Sequence, residues 1–158
     1  MIKNKLQKIG LIFFIILFLW YTLVFFNIPG LLVAGSVDLF SLLSLLELFL
    51  VIILVGYFFR WKYTDYFNLF ILSIWGYLQY AAHWRYLLFE PSEEILDRYY
   101  HYFEGTLRFF AQSQTRIVPD AYHTILGILI YLNLVLVILK IIFSLKNSGK
   151  EKVKTDST

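Results

Sequence analysis

Cysteine is absent from this 158-residue chain, which excludes disulfide exchange, thiol nucleophiles and thiolate metal ligands whichever compartment its loops face. Three reactive signatures are missing as well: a Gly-x-Ser-x-Gly turn, a phosphate-cradling glycine loop and a His-Glu-x-x-His helix. Charge is scarce over long runs, and residues 9–26 carry none. What fills the chain instead is apolar: 59% hydrophobic and 20% aromatic residues, with a mean hydropathy of +0.68. That is far too apolar for an ordinary soluble domain of this size and points to an integral membrane protein. The net charge of +3 comes mostly from lysines at the two ends, so it bears on orientation in a bilayer and gives no reason to expect nucleic acid binding.

The hydropathy pattern predicts an all-α, polytopic membrane domain over residues 1–145, with four transmembrane helices near 9–26, 39–59, 66–84 and 121–145. Lys3, Lys5 and Lys8 precede the first; its rival reading is a signal peptide, given the small residues Val33, Ala34, Gly35 and Ser36. Pro29 and Gly30 turn the chain, Asp38 is placed to cap the second span, and Thr64 or Asp65 the third. Trp20, Trp61, Tyr63, Tyr66, Trp84 and Tyr86 fit interface anchors, Trp75 fits packing, and Lys140 fits a snorkelling side chain. Residues 146–158 read as a disordered basic cytoplasmic tail.

Three basic residues precede the first span, two follow the second, and five lie at Lys140 and beyond; the loop after the first span has none. A multi-pass protein of the cell membrane with both termini cytoplasmic satisfies these counts and places residues 85–120 on the outer face. There Pro91 and Ser92 open an extracytoplasmic amphipathic helix expected over about 92–111, with Glu93 and Glu94 in its first turn. Leu96, Tyr100, Phe103, Leu107 and Phe110 form its apolar stripe, and Asp97, His101, Glu104 and Arg108 follow on an adjacent face. The plain alternative for that charged face is solvated i,i+4 pairing.

Ionisable groups inside spans are costly and rarely idle. Glu47 shares a helical face with Ser41 and Ser44; Gly76, Gln79 and His83 share one on the third span; Asp120, His123 and Gly127 share one on the fourth. All fall in the outer half of the membrane, the inner halves being almost wholly apolar, which predicts a polar pocket opening outward. Asn133 lies deeper and fits an interhelical hydrogen bond.

Two functions follow from that pocket. The first is a lipid- or partner-binding accessory subunit, its partners being membrane lipids and either a second copy of the chain or another membrane protein. The alternative is an outer-leaflet hydrolase or transferase, with Glu47, His83, His123 and Asp120 as catalytic candidates and Gln79, Arg85, Arg108 and Arg116 as substrate-binding ones. A divalent metal is one cofactor these residues would suit, on His83, His123, His101 and Glu104. A channel fits less well, since the inner halves offer no polar path.

In size, four spans, internal termini and outer-face acids, the chain resembles lipoprotein signal peptidases. That family has two aspartates in short motifs, the second preceded by an Asn-x-Ala run. Ile117-Val118-Pro119-Asp120 departs from the second motif, and Asp97-Arg98 and Glu104 do not restore the first, so no site residue is carried over.

Overall fold

A computed structural model describes residues 2–26, 28, 30–31 and 42–155, and the side chains among them apart from those of 2–4, 42 and 147–155. The turn at Pro29, the Asp38 cap, Ser41, the beginning of the segment expected at 39 and the small residues 33–36 lie outside the described residues. The chain is all-helical, with no strand among the described residues. Helix α1 is Ile2–Thr22, α2 Leu42–Phe58, α3 Thr64–Gln79, α4 Arg85–Leu88, α5 Glu93–Tyr102 and α6 Ala121–Thr155. A π-helical turn, Tyr80–Trp84, joins α3 to α4.

Helix α6 packs on α1 and on α3, and α2 contacts the same two helices. The core between them is apolar and aromatic: Phe14, Leu17 and Tyr21 of α1, Leu50 and Ile53 of α2, Leu72 and Trp75 of α3, and Tyr122, Leu126, Ile130 and Val137 of α6. Asn133 donates to the Phe13 carbonyl at 3.1 Å, the interhelical bond its depth in the sequence suggested. Trp20 stacks on Tyr122, and Trp84 covers Gly127 so closely that a β-carbon there would sit 2.5 Å from its Nε1. These two indoles pack against α6, which the anchor reading did not foresee.

Among the described residues two helices are long and apolar enough to cross a membrane, through segments Lys5–Phe25 and Ala121–Lys146. Only 22% and 39% of their apolar windows are buried. Ile9, Ile12, Ile16 and Leu19 make an exposed stripe on α1, and Ile128, Leu132, Val135 and Ile142 one on α6. The α2 segment Leu43–Phe58 is a shorter apolar helix. The segment expected over 66–84 is broken by the π turn, where the N–H of Arg85 reaches back five residues to the Tyr80 carbonyl.

Three local expectations change. The amphipathic helix stops at Tyr102 instead of running to 111, because Gly105 takes a left-handed conformation (φ 75°) and leads into irregular chain; Leu107 and Phe110 are exposed and continue no stripe. Helix α6 continues through the expected tail as far as Thr155. At the start of α3, Tyr63 holds the N-cap position without a side-chain cap, and Thr64 and Asp65 lie in the first turn.

The end of the helices where α2 turns into α3 is also less apolar than the sequence suggested. Lys140 is buried, donates to the Asp65 carboxylate and lies 4.3 Å from the Tyr57 ring centre, while Asn68 donates to the Tyr57 hydroxyl at 2.8 Å. Lys140 therefore does not snorkel: a partner carboxylate in the first turn of α3 satisfies its ammonium inside the protein.

Candidate functional site

At the opposite end of the helices, α3, the π turn, α5 and α6 bring His83, His123, Asp120, Gln79 and Tyr99 together. Asp120 is the N-cap of α6: Oδ1 accepts the backbone N–H of His123 at 2.9 Å, and Oδ2 accepts from the ring Nδ1 at 2.7 Å. Asp120 is 1% exposed. Burial alone would raise its carboxyl, but the ring and backbone hydrogen bonds of His123 and the positive character of the imidazole outweigh it and hold the group below its ordinary range. An ionised Asp120 fixes the His123 proton on Nδ1 and leaves Nε2 as the basic nitrogen.

The His83 ring stacks on that of His123, centroids 4.1 Å apart and planes 23° from parallel. The π turn carries His83 into this stack, and such turns recur at functional sites. His83 Nδ1 lies 2.8 Å from the Tyr99 hydroxyl. Burial first, then the Asp120 charge, push the Tyr99 phenol above its ordinary range, so it stays protonated while hydrogen-bonded to His83. Phe103 closes edge-on against His123 at 5.1 Å, and Gln79 donates to the His123 carbonyl at 3.1 Å.

The imidazole pair ends a cleft of about 440 Å³ between α2 and α3. Its lips are the exposed Leu45, Phe70, Ile74 and Leu78, and its buried wall includes Trp75 and Leu126. Beyond Gln79, His83 and His123 the lining is almost entirely aliphatic or aromatic. The volume falls in the range of about 300–1,000 Å³ typical of small-molecule sites.

Other expected members stand apart. Glu47 turns to α1, where Oε1 accepts from Thr22 Oγ1 at 2.8 Å and Oε2 is buried without a hydrogen-bond partner; it does not line the cleft. It orients neither imidazole, and Asp120 fills that role for His123. Arg85 lies over the Tyr86 ring, Arg108 donates to the Phe103 carbonyl at 2.8 Å, and Arg116 donates to the Leu87 carbonyl at 3.0 Å. The last two tie the segment 85–120 to itself, and none of the three arginines lines the cleft.

The expected metal set does not assemble. His101 faces Glu104 at 3.9 Å with both side chains over 80% exposed, whereas His83 and His123 turn ring faces to each other. Among the described residues no group of three metal-ligating side chains comes together.

Tyr99 is absent from the sequence-based candidates, and Tyr100 stands among them only as part of the apolar stripe. The Tyr100 hydroxyl donates to the Arg116 carbonyl and accepts the N–H groups of Ser113 and Val118, organising the loop above the site. A signal was available for Tyr99, since Tyr99 and Phe103 are four residues apart and so share a helical face. Comparison with protein-family models, with curated proteins and with solved structures finds no match.

Proposed function

We propose that this chain is a four-span protein of the cell membrane, with both termini cytoplasmic, that takes an acyl chain of a membrane lipid into the cleft between α2 and α3. The observation that carries this reading is the asymmetry of the cleft, apolar along its length and polar only where His83, His123 and Gln79 close one end. Its lips are exposed apolar side chains, as are the stripes on α1 and α6, so a chain enters sideways from the bilayer without crossing water. The four helices α1, α2, α3 and α6 serve as the spans, with the π turn costing the third some of its regularity. In this orientation the imidazole pair meets the polar part of the lipid near the outer surface, under the cover of α5.

The test is native mass spectrometry of protein released from membranes. Wild type should retain lipid, Ile74→Trp at the cleft lip should lose most of it, and Tyr77→Trp on an exposed position outside the cleft should not. Equal retention by all three contradicts the reading.

One observation favours a second, catalytic reading: Asp120 holds His123 in the tautomer a general base requires. His123 Nε2 would accept a proton from water as the water oxygen adds to an ester carbonyl of the bound lipid. It would return the proton to the departing alkoxide, giving a free acid and an alcohol. Conversion of a phospholipid ester to lysolipid by wild type, falling about 100-fold or more in His123→Ala, supports it. No turnover by wild type leaves lipid binding as the function.

A further inference from the structure

A second cavity, of about 770 Å³, lies at the other end of the helices between the beginning of α1, the turn joining α2 to α3, and the latter part of α6. Four cationic side chains line it, Lys8, Arg60, Lys62 and Lys140, against one carboxylate, Asp65. That carboxylate is already committed, since Lys140 donates to it and is itself buried. Lys8, Arg60 and Lys62 are left to give the cavity its field, and all three are exposed. Gln7 and Trp61 also line it, adding a neutral amide and an aromatic wall.

The turn that supplies Arg60 is built at a cost. The N–H of Trp61 reaches the Gly56 carbonyl at 2.9 Å and that of Arg60 the Tyr57 carbonyl at 3.3 Å, the pairing of a helix C-terminus that ordinarily ends on glycine. Arg60 occupies the glycine position with φ 54°, the one left-handed non-glycine residue among those described. A residue without a β-carbon would relieve that turn, yet the chain places a guanidinium there, beside the cavity. Thr64 lines the same cavity, 7% exposed, and its hydroxyl has no hydrogen-bond partner.

We propose that this cavity binds a phosphate-bearing anion, held by Lys8, Arg60 and Lys62 around the Asp65–Lys140 pair. Two sources share that chemistry: the headgroup of an anionic phospholipid and a free phosphate. The geometry suits either, because the guanidinium offers a planar fork of donors and the two ammonium groups supply charge on long stems. The inference is independent of the acyl-chain cleft, which shares no lining residue with this cavity.

The experiment uses full-length protein in nanodiscs. In the first arm, competition between phosphatidylglycerol and phosphatidylcholine is read by native mass spectrometry; in the second, inorganic phosphate is titrated calorimetrically into phosphatidylcholine nanodiscs. A headgroup site predicts preferential retention of phosphatidylglycerol that falls at least about tenfold in the Lys8→Gln/Arg60→Gln/Lys62→Gln variant. A free-phosphate site predicts saturable heat in the second arm, lost in the same variant. Arg60→Gly provides an independent check should the triple variant fail to fold: it should weaken anion binding while raising thermal stability, since it relieves the turn. Wild type showing neither phosphatidylglycerol preference nor phosphate heat overturns the proposal, as does undiminished binding in Arg60→Gly.

Discussion

Asp120 and His123 are joined twice, through the backbone N–H at 2.9 Å and through the ring at 2.7 Å, so one carboxylate both starts α6 and orients an imidazole. The first bond is ordinary helix capping. The second exists because a residue three positions into the helix turns its ring back over the cap, and here that residue lines a cleft. Stability and chemistry at this end of the molecule therefore depend on the same side chain.

Replacing Asp120 with Ala should cost about 1–2 kcal/mol for the lost cap, read as a lower melting temperature in detergent. The pH dependence separates the roles further. Since the folded carboxyl lies below its ordinary value of 3.8, its contribution is fully present above about pH 4 and disappears as pH falls through the lower folded value. Wild type should lose stability over that acid range more steeply than Asp120→Asn. Parallel melting curves from pH 5 to pH 2.5 would contradict the assignment.

Gly127 is held to its size by Trp84. A β-carbon at this position would meet the indole at 2.5–3.0 Å, and the indole follows directly on His83. Gly127→Ala should destabilise by about 1–3 kcal/mol and shift Trp84 fluorescence, with the melting temperature partly restored by adding Trp84→Phe. An unchanged spectrum and melting temperature would mean that the π turn is not pinned by this contact.

Lys140 and Asp65 form a pair whose ammonium is buried and whose carboxylate is partly open, with side chains 6% and 31% exposed. Removing one partner should cost about 3 kcal/mol, the low end for a buried pair because Asp65 retains some solvent. The double variant Lys140→Met/Asp65→Leu should recover much of that loss. Additive losses in the double variant would show that the two residues act separately.

Tyr99→Phe should leave the stability within about 1 kcal/mol of wild type while loosening α5 over the imidazoles, since it deletes only the hydroxyl on His83 Nδ1. Faster amide exchange confined to α5 is the expected result. Protection unchanged there would remove Tyr99 from the site.

Much of the histidine cluster was legible in the sequence because helical spacing places residues on faces: Gln79 with His83, and Asp120 with His123, form two faces that the structure brings together. Glu47 did not join them because a one-dimensional pattern gives depth and face but not the neighbour met. Thr22 on α1 satisfies one of its oxygens from the other side. The π turn was invisible, since no proline or glycine marks Tyr80–Trp84; it follows from tertiary packing of Trp84 onto Gly127 and His83 onto His123. The early end of α5 was half legible in Gly105, whose helix-breaking weight was subordinated to an apolar rhythm that ran through it. Lys140 was misjudged because its partner Asp65 is 75 residues away and looked like a cap.

A phospholipid carrying a photoactivatable diazirine on its acyl chain tests the cleft most directly, with the labelled peptides mapped after irradiation in nanodiscs. Surrounding lipid reaches the exposed stripes on α1 and α6, but Trp75 and Leu126 are 7% and 3% exposed and line the cleft. Label on Trp75 and Leu126, reduced in Ile74→Trp, is the expected result. Label confined to exposed positions such as Ile12, Ile16 and Ile142 would show that no acyl chain enters.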